Sequence, residues 1–312
     1  MEVIKNLKGR DLISITDLSK EELIALLELT DHIKKLSKIG VKNFNYLNGK
    51  KIALMFQKHS TRTRSSFSVA IHELGSIPYY FSWNELQIAR GETVEDTARV
   101  LNKYFDGLIL RVYGHDILYS YAKEFDGPVI NALSDEEHPC QIIADLYTIY
   151  EKFKKLEGIK IGFVGDIANN VATSLTLASA LLGLHIRLIG PSKYQPKKEI
   201  IEKAMNMSKK SNGKIEITED QNAVEDLDII YTDVFVSMGM ESEKEERLRI
   251  FKKYQVNEKM MEKASNAYFM HCGPWHLGEE VTPEVVYSKR SLAFEQAENR
   301  LHTSKAILIA LF

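Results

Sequence analysis

Cysteine is scarce: Cys140 and Cys272 are the only two in 312 residues. A disulfide framework is therefore excluded, and a reducing cytoplasm is the expected compartment. No apolar run approaches the roughly 20 residues that a bilayer span needs. The first residues, MEVIKNLKGRDLISITDLSKEEL, lack the apolar core of a signal peptide. Charge of neither sign dominates, with 41 Lys and Arg against 43 Asp and Glu. The net charge of -2 gives no bulk attraction to nucleic acid or to a membrane, and neither is expected as a partner. The nine histidines and two cysteines fall at no metal-ligand spacing on a helix, so no metal is expected. There is no G-x-G-x-x-G, no Gly-Lys-Ser/Thr phosphate loop and no G-x-S-x-G elbow. Repeats and low-complexity segments are absent as well.

What is present is a rhythm. Short apolar runs at 51–56 (KIALMF), 77–81, 107–112 (GLILRV) and 128–132 read as strands, with helices expected at 63–75, 92–104 and 115–125. The second half repeats the pattern, with strands at 159–165, 185–190, 214–218, 228–234 and 267–272. Alternating strand and helix predicts an α/β fold of two domains, each a parallel sheet flanked by helices. The charged stretch near 152–158 separates residues 1–153 from 154–312, and a final helix over 298–312 is expected to pack back on the first domain. In such folds ligands gather beyond the carboxyl ends of strands. The polar residues that follow strands are therefore the candidates.

After KIALMF comes S-T-R-T-R at 60–64. Ser60, Thr61 and Thr63 suit a helix start, where free N–H groups and the helix dipole attract anions. Arg62 and Arg64 add guanidinium groups suited to phosphate oxygens. Taken alone, this is also how a capped helix with two solvated arginines looks. Arg111, near the end of GLILRV, is either an edge residue in water or a ligand clamp. His138 precedes a helix expected to start at Pro139, with Gln141 three residues on, so both can face one ligand. A histidine there can donate a hydrogen bond to a carbonyl oxygen as charge develops. Gln87 and Arg90 lie in a polar segment that reads equally well as a surface loop.

In the second half, the strand 159–165 runs into G-D-I-A-N-N, and Asn170 stands at the helix start, suited to a carboxylate or amino group. Asp233, at the end of DIIYTDV, is a lone carboxylate suited to an ammonium group, and Ser237-Met238-Gly239 follows it in a loop. Cys272 ends the strand AYFMHC, where it is either a polar ligand or base or simply a buried thiol.

Together these marks resemble the aspartate/ornithine carbamoyltransferase superfamily, nearly end to end. S-T-R-T-R, Arg111 and H-P-x-Q at 138–141 are shared across that superfamily. T-D-V-F-V-S-M-G at 232–239, Y-Q-V-N at 254–257, H-C-x-P at 271–274, G-E-E-V-T at 278–282 and E-N-R-L-H at 298–302 are similar to the ornithine branch. One departure stands out: Gly273 occupies the position that is usually leucine in H-C-L-P, and Trp275 follows two residues later. A smaller one is Ala89, where glycine is common.

The resemblance implies transfer of the carbamoyl group of carbamoyl phosphate to the side-chain amine of L-ornithine, giving L-citrulline and phosphate, without a cofactor. It implies that Ser60, Thr61, Arg62, Thr63, Gln87, Arg111 and Arg300 surround the phosphate. His138 and Arg111 would polarise the carbamoyl carbonyl, with Gln141 and the backbone carbonyls of Cys272 and Gly273 holding its NH2. Asn170, Asp233, Ser237 and Met238 would bind ornithine, with Asp233 and Cys272 steering the amine proton. A homotrimer or a multiple of trimers is implied, with a residue of the 87–90 segment serving the neighbouring subunit's site, and residues 235–250 as a lid. The competing expectations are another amine acceptor (putrescine, an acylated ornithine, lysine), a non-catalytic binding protein and a dinucleotide enzyme.

Overall fold

The structure is a computed structural model that describes residues 2–237 and 240–312. The chain forms two compact units, residues 1–147 with 298–312, and residues 148–297. The division falls inside the helix Pro139–Phe153, so one continuous helix carries the chain from the first unit to the second.

The first unit holds a four-stranded sheet of β1 (Lys51–Phe56), β2 (Ile77–Ser82), β3 (Gly107–Arg111) and β4 (Val129–Leu133), in the order β2-β1-β3-β4. All its pairings are parallel. β1 beyond Lys51 and the whole of β3 are central and buried, which is why they read as apolar runs rather than alternating ones. Each large apolar side chain buried this way contributes about 1.5–3 kcal/mol. The helices Arg62–Glu73, Val94–Leu101 and Asp116–Glu124 connect the strands. The middle one is shorter than the expected 92–104. Thr93 caps its start through the N–H of Asp96, and the chain turns after Asn102.

The last helix, Ala293–Leu311, starts five residues before the expected 298, and its part from Glu298 on belongs to the first unit. It is fastened there by buried polar contacts. Lys34 donates to Asn299 at 2.7 Å, Lys305 pairs with Glu73, and the Leu311 carbonyl accepts from the N–H of Gly9.

The second unit holds a five-stranded sheet of β5 (Lys160–Val164), β6 (His185–Ile189), β7 (Lys214–Thr218), β8 (Ile229–Thr232) and β9 (Tyr268–His271), in the order β7-β6-β5-β8-β9. These pairings are parallel too. The helix Asn170–Leu182 after β5 is buried along nearly its whole length, and its sequence is correspondingly apolar or small. The span 235–250 is not loop throughout, since the helix Lys244–Phe251 occupies its second half.

Both sheets carry a point where the strand order reverses. In the first, the chain leaves β1 to one side for β2 and later returns on the other side for β3. In the second, β5 and β8 stand in the same relation. Ligands of open parallel sheets bind beyond the carboxyl ends of the strands at such points.

Candidate active site

At the first reversal point, β1 and β3 end side by side, with Phe56 opposite Arg111. The backbone N–H of Gln57 donates to the Arg111 carbonyl at 2.8 Å. The pairing of β3 with β4 slips between Leu110 and Arg111, so Arg111 stands opposite Leu133. Such a bulge redirects a side chain at the end of a ladder. Arg111 is buried there.

The helix Arg62–Glu73 starts directly after β1. Thr61 stands at its cap position but makes no side-chain cap bond. Instead the Ser60 hydroxyl accepts from the N–H of Thr63 at 3.3 Å. Thr63 is buried, Arg62 is half-buried, and Arg64 points to solvent with its guanidinium 3.5 Å above the Tyr80 ring. The two arginines of S-T-R-T-R therefore part company. Arg64 is held on an aromatic face, and Arg62 is near enough to act electrostatically on His138.

His138 is buried just ahead of Pro139, and its carbonyl receives the N–H groups of Gln141 and Ile142. Burial first, then the charges of Arg300, Arg111 and Arg62, push its pKa well below the usual histidine value. The imidazole is therefore neutral at pH 7 and able to donate from one nitrogen. Gln141 donates to Asp145 at 2.8 Å and receives Arg300, whose other terminal nitrogen donates to Thr63 Oγ1 at 3.1 Å. Arg62, Thr63, Arg111, His138, Gln141 and Arg300 thus form one cluster. Gln87 does not join it through its side chain: it lies exposed on the short helix Gln87–Arg90.

At the second reversal point, Asp233 follows β8 and is buried. It accepts from the Cys272 thiol at 3.2 Å, from Asn169 Nδ2 at 3.4 Å and from its neighbour's N–H, that of Val234, at 2.9 Å. Burial raises its pKa above the usual carboxylate range, while His271, the Val234 N–H and the Cys272 thiol hold it down and Glu280 adds to the rise. The asparagine that reaches Asp233 is Asn169, the neighbour of Asn170, which the resemblance assigns to the amino acid. Asn169 also caps the following helix through the N–H of Ala172 at 2.8 Å, and Asn170, one step on, is half-buried.

The turn between β5 and this helix does not suit a dinucleotide phosphate. Asp166 puts a carboxylate there, accepting from the N–H of Ala168, and Asn169 Oδ1 takes the N–H of Ala172 in the first turn of the helix. Gly165 makes the turn possible: its φ is +115°, and a Cβ would lie 2.8 Å from the Phe235 ring. Ser237 is half-buried after Phe235, and Met238 lies outside the described residues.

Cys272 is partly accessible, unlike Cys140, whose burial pushes its thiol up to about 12. The backbone around Cys272 is set by His271. Its Nδ1 accepts the N–H of Gly273 at 2.8 Å, so its hydrogen sits on Nε2, facing Glu280 Oε1 at 3.2 Å. Gly273 has φ +66°, the left-handed region that disfavours any residue with a Cβ. The glycine that departs from the resembled H-C-L-P pattern therefore stands where glycine is the unstrained choice. Trp275 packs edge-on against His271 and Phe294. Asp233, His271 and Cys272 also lie close enough for one atom of each to touch a single ion. The first unit presents a cationic cluster around a neutral histidine, and the second an anionic one around a carboxylate and a thiol.

Comparison with known proteins follows the same division. Residues 10–151 match the family model of the carbamoyl-P binding domain of aspartate/ornithine carbamoyltransferase, and residues 157–311 match that of its Asp/Orn binding domain. The chain is 51% identical over 304 residues to an ornithine carbamoyltransferase of Hyperthermus butylicus, covering 97% of each chain. It is 45% identical to one of Bacillus thuringiensis, covering 99% of this chain and 96% of that one. The solved structure of ornithine carbamoyltransferase from Pyrococcus furiosus superposes with a TM-score of 0.93 at 46% identity, covering 98% of this chain and 97% of that one. The anabolic enzyme of Campylobacter jejuni superposes with a TM-score of 0.89 at 39% identity, covering 96% and 97%.

Proposed function

The chain belongs to the aspartate/ornithine carbamoyltransferase family, and we propose that it transfers the carbamoyl group of carbamoyl phosphate to the side-chain amine of L-ornithine, giving L-citrulline and phosphate in arginine metabolism. The observation that carries this reading is His138, buried and neutral among Arg62, Arg111 and Arg300 in the turn between β4 and the helix Pro139–Phe153. Three cations suit a phosphoryl group, and a neutral imidazole suits a carbamoyl carbonyl, to which it can donate without competing for the phosphate's negative charge.

In this reading Ser60, Thr61, Arg62, Thr63, Gln87, Arg111 and Arg300 take the phosphate. His138 and Arg111 polarise the carbonyl, and Gln141 with the backbone carbonyls of Cys272 and Gly273 holds the carbamoyl NH2. Asn170, Asp233, Ser237 and Met238 take the amino acid, and Asn169 joins them through its contact with Asp233. The acceptor amine resembles that of lysine, with an unperturbed pKa of about 10.4, and must lose a proton to attack. Asp233 and the Cys272 thiol that donates to it are the groups that steer that proton. The amine nitrogen bonds to the carbamoyl carbon, the carbon–oxygen bond to phosphate breaks, and phosphate leaves with the electron pair. The rate comes from positioning two substrates and from placed charge, with no cofactor required.

The protein is cytoplasmic in this reading and works as a trimer or a multiple of trimers. Self-association is supported by the edge of the first sheet. There β2, paired only with β1, carries Ile77, 67% exposed, and Tyr79, 38% exposed, on an edge of the kind that proteins ordinarily cover. Citrulline formation from carbamoyl phosphate and ornithine, beside parallel reactions with putrescine, N-acetylornithine, lysine and aspartate, tests the proposal. Product selective for ornithine is expected. Product with another amine alone, or none from folded protein, overturns it.

A further inference from the structure

The helix Lys244–Phe251 follows the Ser237-Met238-Gly239 segment and begins with four charged residues, yet Arg247 among them is buried. Its guanidinium is used on every side. One terminal nitrogen pairs with Asp166, the other lies 3.5 Å from Glu243, and Nε donates to the Phe235 carbonyl at 2.6 Å. Its flat faces meet the rings of Tyr194 at 4.6 Å and Phe251 at 5.2 Å. A lysine has neither the fork nor the planar face to make this set of contacts. Two of these partners, Asp166 and Phe235, lead toward the amino-acid site. Phe235 lies two residues beyond Asp233, and Asp166 lies in the turn that carries Asn169, which donates to Asp233. Arg247 therefore joins the exit of β5, the exit of β8 and the helix that follows the loop.

We propose that Arg247 is a positioning residue for the acceptor amino acid, acting through Asp166 and the Phe235 carbonyl on the placement of Asp233 and Asn169. These contacts of Arg247 all lie within the second unit, so its effect falls on one substrate. The inference rests on the reading of Asp233 as an amino-acid ligand, and the two fail differently.

The experiment is steady-state kinetics on the full-length enzyme with each substrate varied at saturating levels of the other. It compares wild type, Arg247→Gln, Arg247→Lys, Asp166→Asn and the double variant Asp166→Asn with Arg247→Gln. The expected result for Arg247→Gln is a KM for ornithine raised about tenfold or more, with the KM for carbamoyl phosphate little changed. Arg247→Lys keeps the charge but not the fork, and a partial rise is expected. The double variant leaves no lone buried charge and so folds even where a single variant does not. Its KM for ornithine stays raised, which a purely structural role for the pair would not require. Equal effects on both KM values, or an ornithine KM like wild type in the double variant, overturn the proposal. Wild-type protein that carbamoylates no ornithine refutes the function itself instead.

Discussion

The two clusters, one in each unit, occupy the same topological position in two sheets of the same kind and carry opposite chemistry. Beyond β1 and β3 stand Arg62, Arg111 and Arg300 around His138, whose proton is driven off by burial and by those charges. Beyond β5 and β8 stand Asp233 and Asp166, whose carboxyls burial pushes upward. The position is supplied by the fold, through the strand-order reversal. The charge is supplied by a handful of residues in the turns. One architecture can thus hold a dianion in one half and an ammonium group in the other, because side chains beyond strand ends change without disturbing the buried strands behind them.

The largest effect that would sharpen this contrast is loss of a cation from the first half. Arg62→Ala should lower kcat/KM by at least about a hundredfold, since a charged partner of a dianion is lost near the reacting centre. The measurement is citrulline production at several carbamoyl phosphate concentrations. Asp233→Asn should do comparable damage through ornithine instead. If each variant disturbs both substrates equally, the division of labour is wrong.

Next comes His138. As a neutral donor it should be replaced better by glutamine than by alanine. We expect His138→Ala to lose about a hundredfold or more in kcat and His138→Gln to retain several times the alanine variant's rate. Equal loss in both would mean that the imidazole does more than donate a hydrogen bond.

The same histidine makes a prediction about stability. Its folded pKa is depressed, so below the unfolded value of about 6.5 the unfolded chain takes up a proton that the folded chain does not. Its contribution is constant above that value. Stability is lost as pH falls below it, by about 1.4 kcal/mol per pH unit for this one group. The buried carboxyls Asp166 and Asp233 are raised, and their contribution has the opposite sign: the folded state holds more protons above the usual carboxylate value, so stability falls there as pH rises. Denaturant unfolding of wild type and His138→Gln at pH 7.5, 6.5 and 5.5 separates the two, because only the wild type should carry the histidine slope.

A smaller effect is expected at Gly273. With φ at +66°, Gly273→Leu should cost about 1–2 kcal/mol of stability if the backbone is kept, measured by denaturant unfolding. A neutral or stabilising result would mean that the H-C-x-P turn readily adopts another conformation.

Much of the first half-site was legible in the sequence because its groups are announced locally. Ser60 to Arg64 follow an apolar strand directly, Arg111 ends one, and His138 precedes a proline that favours a first helical turn. Arg300 entered only through family resemblance. Its partners Thr63 and Gln141 are 237 and 159 residues away, and no local pattern announces such a contact. In the second half the strand ends were equally visible, and Asp233 and Cys272 with them. The contact of Asn169 with Asp233 was not, since a helix cap is fixed to one residue by backbone angles and two asparagines in a row satisfy the same pattern. Arg247 was invisible for another reason. Its helix opens with four charged residues in a row, and only the fold reveals which of those charges is buried against a turn 81 residues earlier. The bulge at Arg111 and the backbone of Gly273 are likewise conformations, not residue types.

The most direct test of the division between half-sites is binding of inorganic phosphate to the folded enzyme at low ionic strength, followed by calorimetry for wild type, Arg111→Gln and Asp233→Asn. The account predicts that Arg111→Gln weakens phosphate at least about tenfold, or about 1.4 kcal/mol, while Asp233→Asn leaves it unchanged. Phosphate affinity indifferent to Arg111, or lost equally with Asp233, would contradict it.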